Sequence, residues 1–296
     1  MRRLLLMLLP VLLVVMVSGC TAPGFTASAS GRGVTIEAFE PDFSAASEGE
    51  TIQLQLMVRN KGSVDASDVK AEIFGMEKWS LLGKGGGSTC DLTDTWGLIA
   101  PDEARGTAGG SKSCIYAYKS PDISKGLSMS YTPTVRVSYR YSTNTIKSIT
   151  LLSSTEARRI EQLGGELPGE TLSTSSGPVS VGIVTKGPIK VFKDGLEFPI
   201  EFTITNVGGG VVATSKDSND WNKVNFRVSL PDDLENVDCP VDTNRTLTLF
   251  KGKSNTITCT VKASIPSVPK QVQVTASADG YYYFIEKSTK VTVTGI

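Results

Sequence analysis

The chain has 296 residues, with 30 Lys+Arg against 30 Asp+Glu, five cysteines and no histidine. At about 100–200 residues per domain this length fits about two domains, and the balanced charge, with no basic run longer than the pairs Arg2-Arg3 and Arg158-Arg159, excludes the electrostatic footprint of a nucleic-acid binder. Without histidine there is no Ser-His-Asp or Cys-His catalysis, no His-ligated zinc and no imidazole base near neutral pH.

Two arginines open the sequence, an apolar run of 14 residues (4–17) interrupted by Pro10 follows, and small residues come next. As a helix that run would reach roughly 21 Å, short of the roughly 30 Å hydrocarbon core, so a cleaved signal fits better than a permanent span. Val17-Ser18-Gly19-Cys20 resembles the lipobox of prokaryotic lipoproteins, which implies a signal peptide over 1–19 and a lipid on Cys20. The Gly/Ser/Ala-rich stretch up to residue 33 has no hydrophobic period and is expected to be a tether with a reach of about 20 Å.

The four remaining cysteines, Cys90, Cys114, Cys239 and Cys259, are an even set in an exported chain and imply disulfides rather than metal or thiol chemistry. Three connectivities exist; the distribution along the chain favours Cys90 with Cys114 and Cys239 with Cys259. The strand patterns are duplicated as well. Ile52, Leu54, Leu56 and Val58 alternate with polar or exposed positions and end in Asn60-Lys61-Gly62; Phe198, Ile200, Phe202 and Ile204 do the same and end in Asn206-Val207-Gly208. Period-two alternation of this kind means one buried and one wet face.

Each half is expected to close with a hairpin: 134–141 with 145–152 around Ser142-Thr143-Asn144, and 271–278 with 283–294 around Asp279-Gly280. About seven strands per half is the count of an immunoglobulin-like sandwich. Residues 155–163 read as a helix capped by Thr155 and stopped by Gly164-Gly165, and 166–177 return to linker composition. The expected fold is therefore all-β: two tandem Ig-like antiparallel sandwiches, 34–152 and 178–296, after the signal (1–19) and tether (20–33), joined by a short helix and linker over 153–177. Relative motion of two such domains is the default expectation.

The run from Leu54 to Gly62, followed by Ala66-Ser67-Asp68-Val69-Lys70-Ala71-Glu72-Ile73, resembles the CARDB-type Ig-like adhesion-related domains of bacteria and archaea. Leu98-Ile99-Ala100-Pro101-Asp102-Glu103 is similar to that family's Pro-Gly-Glu turn, with Asp102 in the place of glycine; in the second half Phe250-Lys251-Gly252-Lys253 replaces it. The resemblance implies a fold and a surface location, as in archaeal surface lipoproteins with tandem domains, and carries no catalytic residue.

Candidate chemistry is sparse. The 83–88 stretch (GKGGGS) lacks the order of a phosphate loop, and Asp217, Asn219 and Asp220 read as a solvated turn rather than the six to eight oxygens a hard cation needs; Asp232, Asp233, Glu235 and Asp238 form a second acidic loop, where calcium is the minor reading. No metal or cofactor is expected. Carboxylate-pair glycoside hydrolysis is the one enzyme class that composition permits, and no spacing marks a pair. In Tyr281-Tyr282-Tyr283-Phe284 successive residues point to opposite faces; edge-strand or interdomain packing is the favoured role, and a ligand or partner patch at Tyr281 and Tyr282 the functional one. Tyr139 and Tyr141 hold the equivalent place in the first half, Trp79, Trp96 and Trp221 are expected to anchor core or loops, and Asn244-Arg245-Thr246 is an N-glycosylation sequon.

The expected function is a non-catalytic, lipid-anchored protein on the outer face of the membrane, an adhesion, scaffolding or envelope module with a protein or glycan partner. A carbohydrate- or solute-binding accessory lipoprotein is the alternative. Changing Cys20 to Ser should release the protein from the membrane fraction; retention would contradict lipid anchoring.

Overall fold

The computed structural model describes residues 33–82, 89–92, 97–241 and 245–296. In the first repeat the strands are β1 (Val34–Pro41), β2 (Ala45–Ser47), β3 (Thr51–Asn60), β4 (Ser67–Phe74), β5 (Ser80–Leu82), β6 (Thr89–Asp91), β7 (Ser111–Lys119), β8 (Ser128–Tyr131) and β9 (Thr134–Ser153). The helix α1 (Ser154–Gln162) follows. The second repeat holds β10 (Thr171–Thr174), β11 (Val179–Val184), β12 (Ile189–Val191), β13 (Leu196–Asn206), β14 (Val211–Ala213), β15 (Lys223–Ser229), β16 (Leu234–Asn236), β17 (Arg245–Thr248), β18 (Ser254–Ala263), β19 (Lys270–Ser288) and β20 (Val291–Thr294).

The fold is all-β and sandwich-like, and the duplication is visible in the strand order. One four-stranded sheet runs β1-β3-β7-β5 and its counterpart β11-β13-β18-β16. These match the A-B-E-D sheet of an immunoglobulin sandwich. Alternation builds them: Ile52, Leu54, Leu56 and Val58 on β3, and Phe198, Ile200, Phe202 and Ile204 on β13, are all buried. Each sheet packs on a different half of one nine-stranded sheet whose central order, β17-β15-β19-β9-β4-β6, reads the same from either end by repeat. Phe202 on β13 meets Phe226 on β15 edge-on at 5.7 Å, one of the contacts that join the layers. The disulfides join Cys90 to Cys114 and Cys239 to Cys259. They are not at equivalent positions: Cys114 pairs across the sheet with Leu56, whereas Cys259 pairs with Ile200, two residues earlier in the repeated pattern.

The expected hairpins do not form. Strand β9 is one strand of 20 residues and β19 one of 19, and they pair antiparallel along their whole length, from Thr134↔Ser288 to Leu151↔Lys270. The residues expected to turn are held extended: Thr143 is buried against the Tyr281 hydroxyl at 2.9 Å, and Ser142 Oγ accepts from the Gly280 N–H. Asp279-Gly280 becomes a bulge with Gly280 at φ 55°, where the register shifts between Ala278 and Tyr281. In immunoglobulin order, each repeat's F strand therefore continues straight into the other lobe as its G strand. Residues 281–288 complete the first lobe beside 134–141, and 145–153 complete the second beside 270–278. The exchange extends to the ends of the chain: β20 pairs with β2 and β8 of the first repeat, as the end of β9 pairs with β12 of the second.

Consequently the two lobes do not divide at 153–177. Helix α1 is present, but Ser153 rather than Thr155 caps it, its Oγ accepting from Glu156 N, with Gly164 at φ 72° just beyond its end. The segment read as a linker contains β10, an edge strand on β9. Two unbroken strands crossing the junction, which we call the waist, make one cooperative body. Thermal unfolding should show a single calorimetric transition; two separate transitions would contradict the exchange.

Candidate binding surface at the waist

Where β9 and β19 cross the waist, the duplicated sequence places Tyr139 and Tyr141 opposite Tyr283 and Tyr281, in the register Tyr139↔Tyr283 and Tyr141↔Tyr281. A two-fold axis between these pairs exchanges the repeats. All four rings are buried on the inner face, with centroids 5.8–6.2 Å apart in tilted or edge-on contacts. Their hydroxyls serve equivalent backbone groups. Tyr139 and Tyr281 accept from Val34 and Val179, the first residues of β1 and β11. Tyr141 and Tyr283 accept from Val64 and Gly210, at 3.0 and 2.8 Å, each the fourth residue after its repeat's Asn. That asparagine closes the motif. Asn60 Nδ2 donates to Val64 and Leu98 carbonyls while its Oδ1 accepts from Gly62 N; Asn206 does the same with Gly210, Gly252 and Gly208. The repeated Asn-x-Gly is thus a turn lock whose far end is held by a tyrosine of the exchanged strands.

On the outer face the symmetry is broken by an insertion. Between β14 and β15 the second repeat carries extra residues absent between Ala66 and Val69 of the first, and these lie across first-repeat residues. Lys216 Nζ pairs with Asp68 at 2.7 Å and sits 5.2 Å above the ring of Tyr282, whose hydroxyl donates to Asp68 at 3.0 Å. Lys70 joins Asp68 at 3.3 Å. Partial burial works to raise the Asp68 pKa, yet the hydrogen bonds from Lys216 and Tyr282 hold it below the ordinary carboxylate value; the same burial and Asp68 raise that of Tyr282. Next to this cluster the Arg136 guanidinium lies 4.9 Å from Phe74 and 5.8 Å from Trp221 while its Nε donates to Glu286 at 2.7 Å.

These contacts place the sequence candidates. Tyr281 is not a surface residue: it is fully buried in the tyrosine cluster because it faces inward after the bulge. Tyr282 faces outward and is half-buried under Lys216. Trp79 packs edge-on against Tyr131 at 5.3 Å, and Trp221 lies tilted against Phe284 at 6.2 Å. In the first acidic loop Asp217 caps a short 3-10 turn by accepting from Asn219 N, and Asp220 is taken by Ser215 and Lys223. In the second, Asp233 pairs with Lys270 and Asp238 accepts from Thr260 N. Among the described residues no group of acidic or cysteine side chains is arranged to hold a metal ion. Cys20, Trp96, Asn244 and residues 83–88 lie outside the described residues. Arg136, Lys216 and Asp68 were missed because their meeting depends on the strand exchange, and only the unequal length of the loop before β15 signalled it.

Compared with known proteins, the chain matches no family model and no curated protein sequence. The two disulfides point to an oxidising compartment, and among the described residues no helix is long and apolar enough to cross a membrane.

The tyrosine cluster gives a pH dependence. Burial raises the pKa of Tyr141 and Tyr283 to about 12, and those of Tyr139 and Tyr281 further. Their folded pKa values exceed the unfolded value near 10, so their contribution is complete below pH 10 and is lost as pH rises toward 12. The loss is about 1.4 kcal/mol per pH unit for each tyrosine. Phenolate absorbance at high pH should appear together with loss of the β-sheet circular dichroism signal; all eight tyrosines titrating near pH 10 with the fold intact would contradict the packing. Tyr141→Phe, which strands the Val64 N–H and removes the bond that the hydroxyl donates to the Ser176 carbonyl at 2.8 Å, should cost about 1–3 kcal/mol in denaturant unfolding.

Proposed function

We propose that this is a lipid-anchored, non-catalytic surface protein, an adhesion or scaffolding module of the cell envelope that takes a protein partner on the outer face of its waist. The observation that carries this reading is the asymmetric insertion. It converts one region of an otherwise duplicated sheet into a surface where Phe74, Arg136, Trp221, Tyr282 and Lys216 come together from both repeats. Aromatic and arginine side chains of this kind dominate the energetics of protein interfaces. The lipobox at Cys20, the resemblance to CARDB-type adhesion-related domains and the disulfides support the envelope location. The rigidity of the exchanged strands suits a part that holds a partner at a fixed place.

The carbohydrate-binding alternative is less well supported, since the Lys216 ammonium sits over one face of the Tyr282 ring, where a sugar would stack. Crosslinking on intact cells should capture a protein partner, and Lys216→Ala with Tyr282→Ala should reduce its capture about tenfold, the loss of about 1.4 kcal/mol. Capture unchanged by both substitutions, or binding of an envelope glycan that they enhance, would overturn the reading.

A further inference from the structure

One element of the second lobe, β10, has no counterpart in the first among the described residues. In the second lobe the G strand supplied by β9 carries β10 on its free edge, in the register Thr171↔Ser148 to Thr174↔Thr145, before β11 begins. In the first lobe the corresponding stretch of β19 and the residues after it have no strand on that edge among the described residues. Tyr141 and Tyr283 are equivalent, so counting on in step makes Thr145 to Ser148 correspond to Lys287 to Lys290. The flanking elements do match, β14 on 282–284 and β2 on 292–294, so the stretch between them is the part of this edge with no partner strand among the described residues. Beside it lies a groove of about 230 Å³ lined by Gly33, Thr35, Tyr139, Pro178, Tyr283 and Lys287, among others. In the second lobe the matching space is filled by the residues that lead into β11. Ser175 exchanges hydrogen bonds with Asn144, Ser176 with Ser63, and Gly177 lies against Tyr141 and Thr143.

The chain itself supplies a counterpart. Val34 and Val179 head β1 and β11, each paired with the asparagine of its own repeat. Aligned on them, Thr26-Ala27-Ser28-Ala29-Ser30-Gly31 falls on Thr171-Leu172-Ser173-Thr174-Ser175-Ser176, with Thr26, Ser28 and Ser30 identical to their counterparts. We infer that the open edge at 287–290 and the groove beside Gly33 are the docking site of this chain's own residues 26–31, paired as β10 is paired with β9. Residues 26–31 lie outside the described residues; the repeated sequence, the lack of a partner strand for this edge among the described residues and the entry of the chain at Gly33 point to the occupant. Docking of this kind would leave only residues 21–25 between Cys20 and the body, and would hold the waist, rather than a lobe tip, next to whatever Cys20 is attached to. The β10 strand is further pinned by the buried Lys147–Glu170 pair at 3.1 Å, and Thr289 stands where Lys147 would, so the docked segment should be held less tightly than β10.

Hydrogen exchange followed by mass spectrometry on the full chain tests this, and the expectation is the same whether or not Cys20 carries lipid. The Thr289 N–H already donates to Pro133 on the β9 side, so the amides that report on the other edge are those of Ser288 and Lys290; these and the amides of 26–31 should exchange about tenfold or more slowly than those of 21–25. Ala27→Pro with Ser28→Pro, which removes a ladder donor in either register phase, should abolish both protections together. Exchange of 26–31 as fast as that of 21–25 would overturn the proposal and leave an edge guarded by Lys287 and Lys290 alone. Protection of the Ser288 and Lys290 amides that survives the proline substitutions, or rises with protein concentration, would also overturn it by assigning the edge to another occupant or to a second copy.

Discussion

The structure depends on the antiparallel pairing of β9 with β19 through the waist. Each of these strands is longer than a sandwich needs, and each half of each belongs to a different lobe. Because the ladder between them continues on both sides of the bulge at Asp279-Gly280, neither lobe has its complete G-F-C sheet without the other repeat. The consequence reaches the ends of the chain. The last strand, β20, returns to the first lobe, and the described chain begins at Gly33 beside Tyr139 and Pro178, at the waist. What two independent tandem domains would present along a flexible axis is here one body.

The tyrosine cluster shows how side chains make that pairing specific. Four buried rings on one face would be an ordinary apolar contact if their hydroxyls were idle. Instead each hydroxyl satisfies a backbone N–H at the start of an outer strand or in the Asn-x-Gly turn of its lobe. The exchanged strands and the A-B-E-D sheets are therefore tied to the same four atoms. A buried donor left without its acceptor is costly, which couples the register of the waist to the turns above it. The outer face of the same residues is free of that duty, and there the insertion before β15 builds a surface that belongs to neither repeat alone.

Much of this was legible in the sequence. The alternation of β3 and β13, the shared Asn-x-Gly, the local disulfides and the helix after β9 all follow from local patterns, and the structure contains them. The hairpins were not legible, for a physical reason. With three residues between 141 and 145, and two between 278 and 281, the inward positions keep the same face whether the chain turns back or runs on. Thr143 fits an extended strand as readily as a loop, and Asp279-Gly280 fits a bulge as readily as a turn. The choice lies in contacts between residues more than a hundred positions apart, such as Thr143 with Tyr281, which no local pattern encodes. The same non-local choice buried Tyr281, left Tyr282 outside, and brought Arg136 to Glu286 and Asp68 to Lys216.

The central claim is that β9 crosses the waist without turning, and a single distance tests it. Spin labels at Ser138 and Ser148, which would face each other across a hairpin, stand ten residues apart on one continuous strand. Pulsed electron paramagnetic resonance on the full chain should give a separation of about 33 Å at the usual strand rise. A separation near that of directly paired strands, about 5 Å between backbones before the label arms are added, would show two closed hairpins and contradict the exchange.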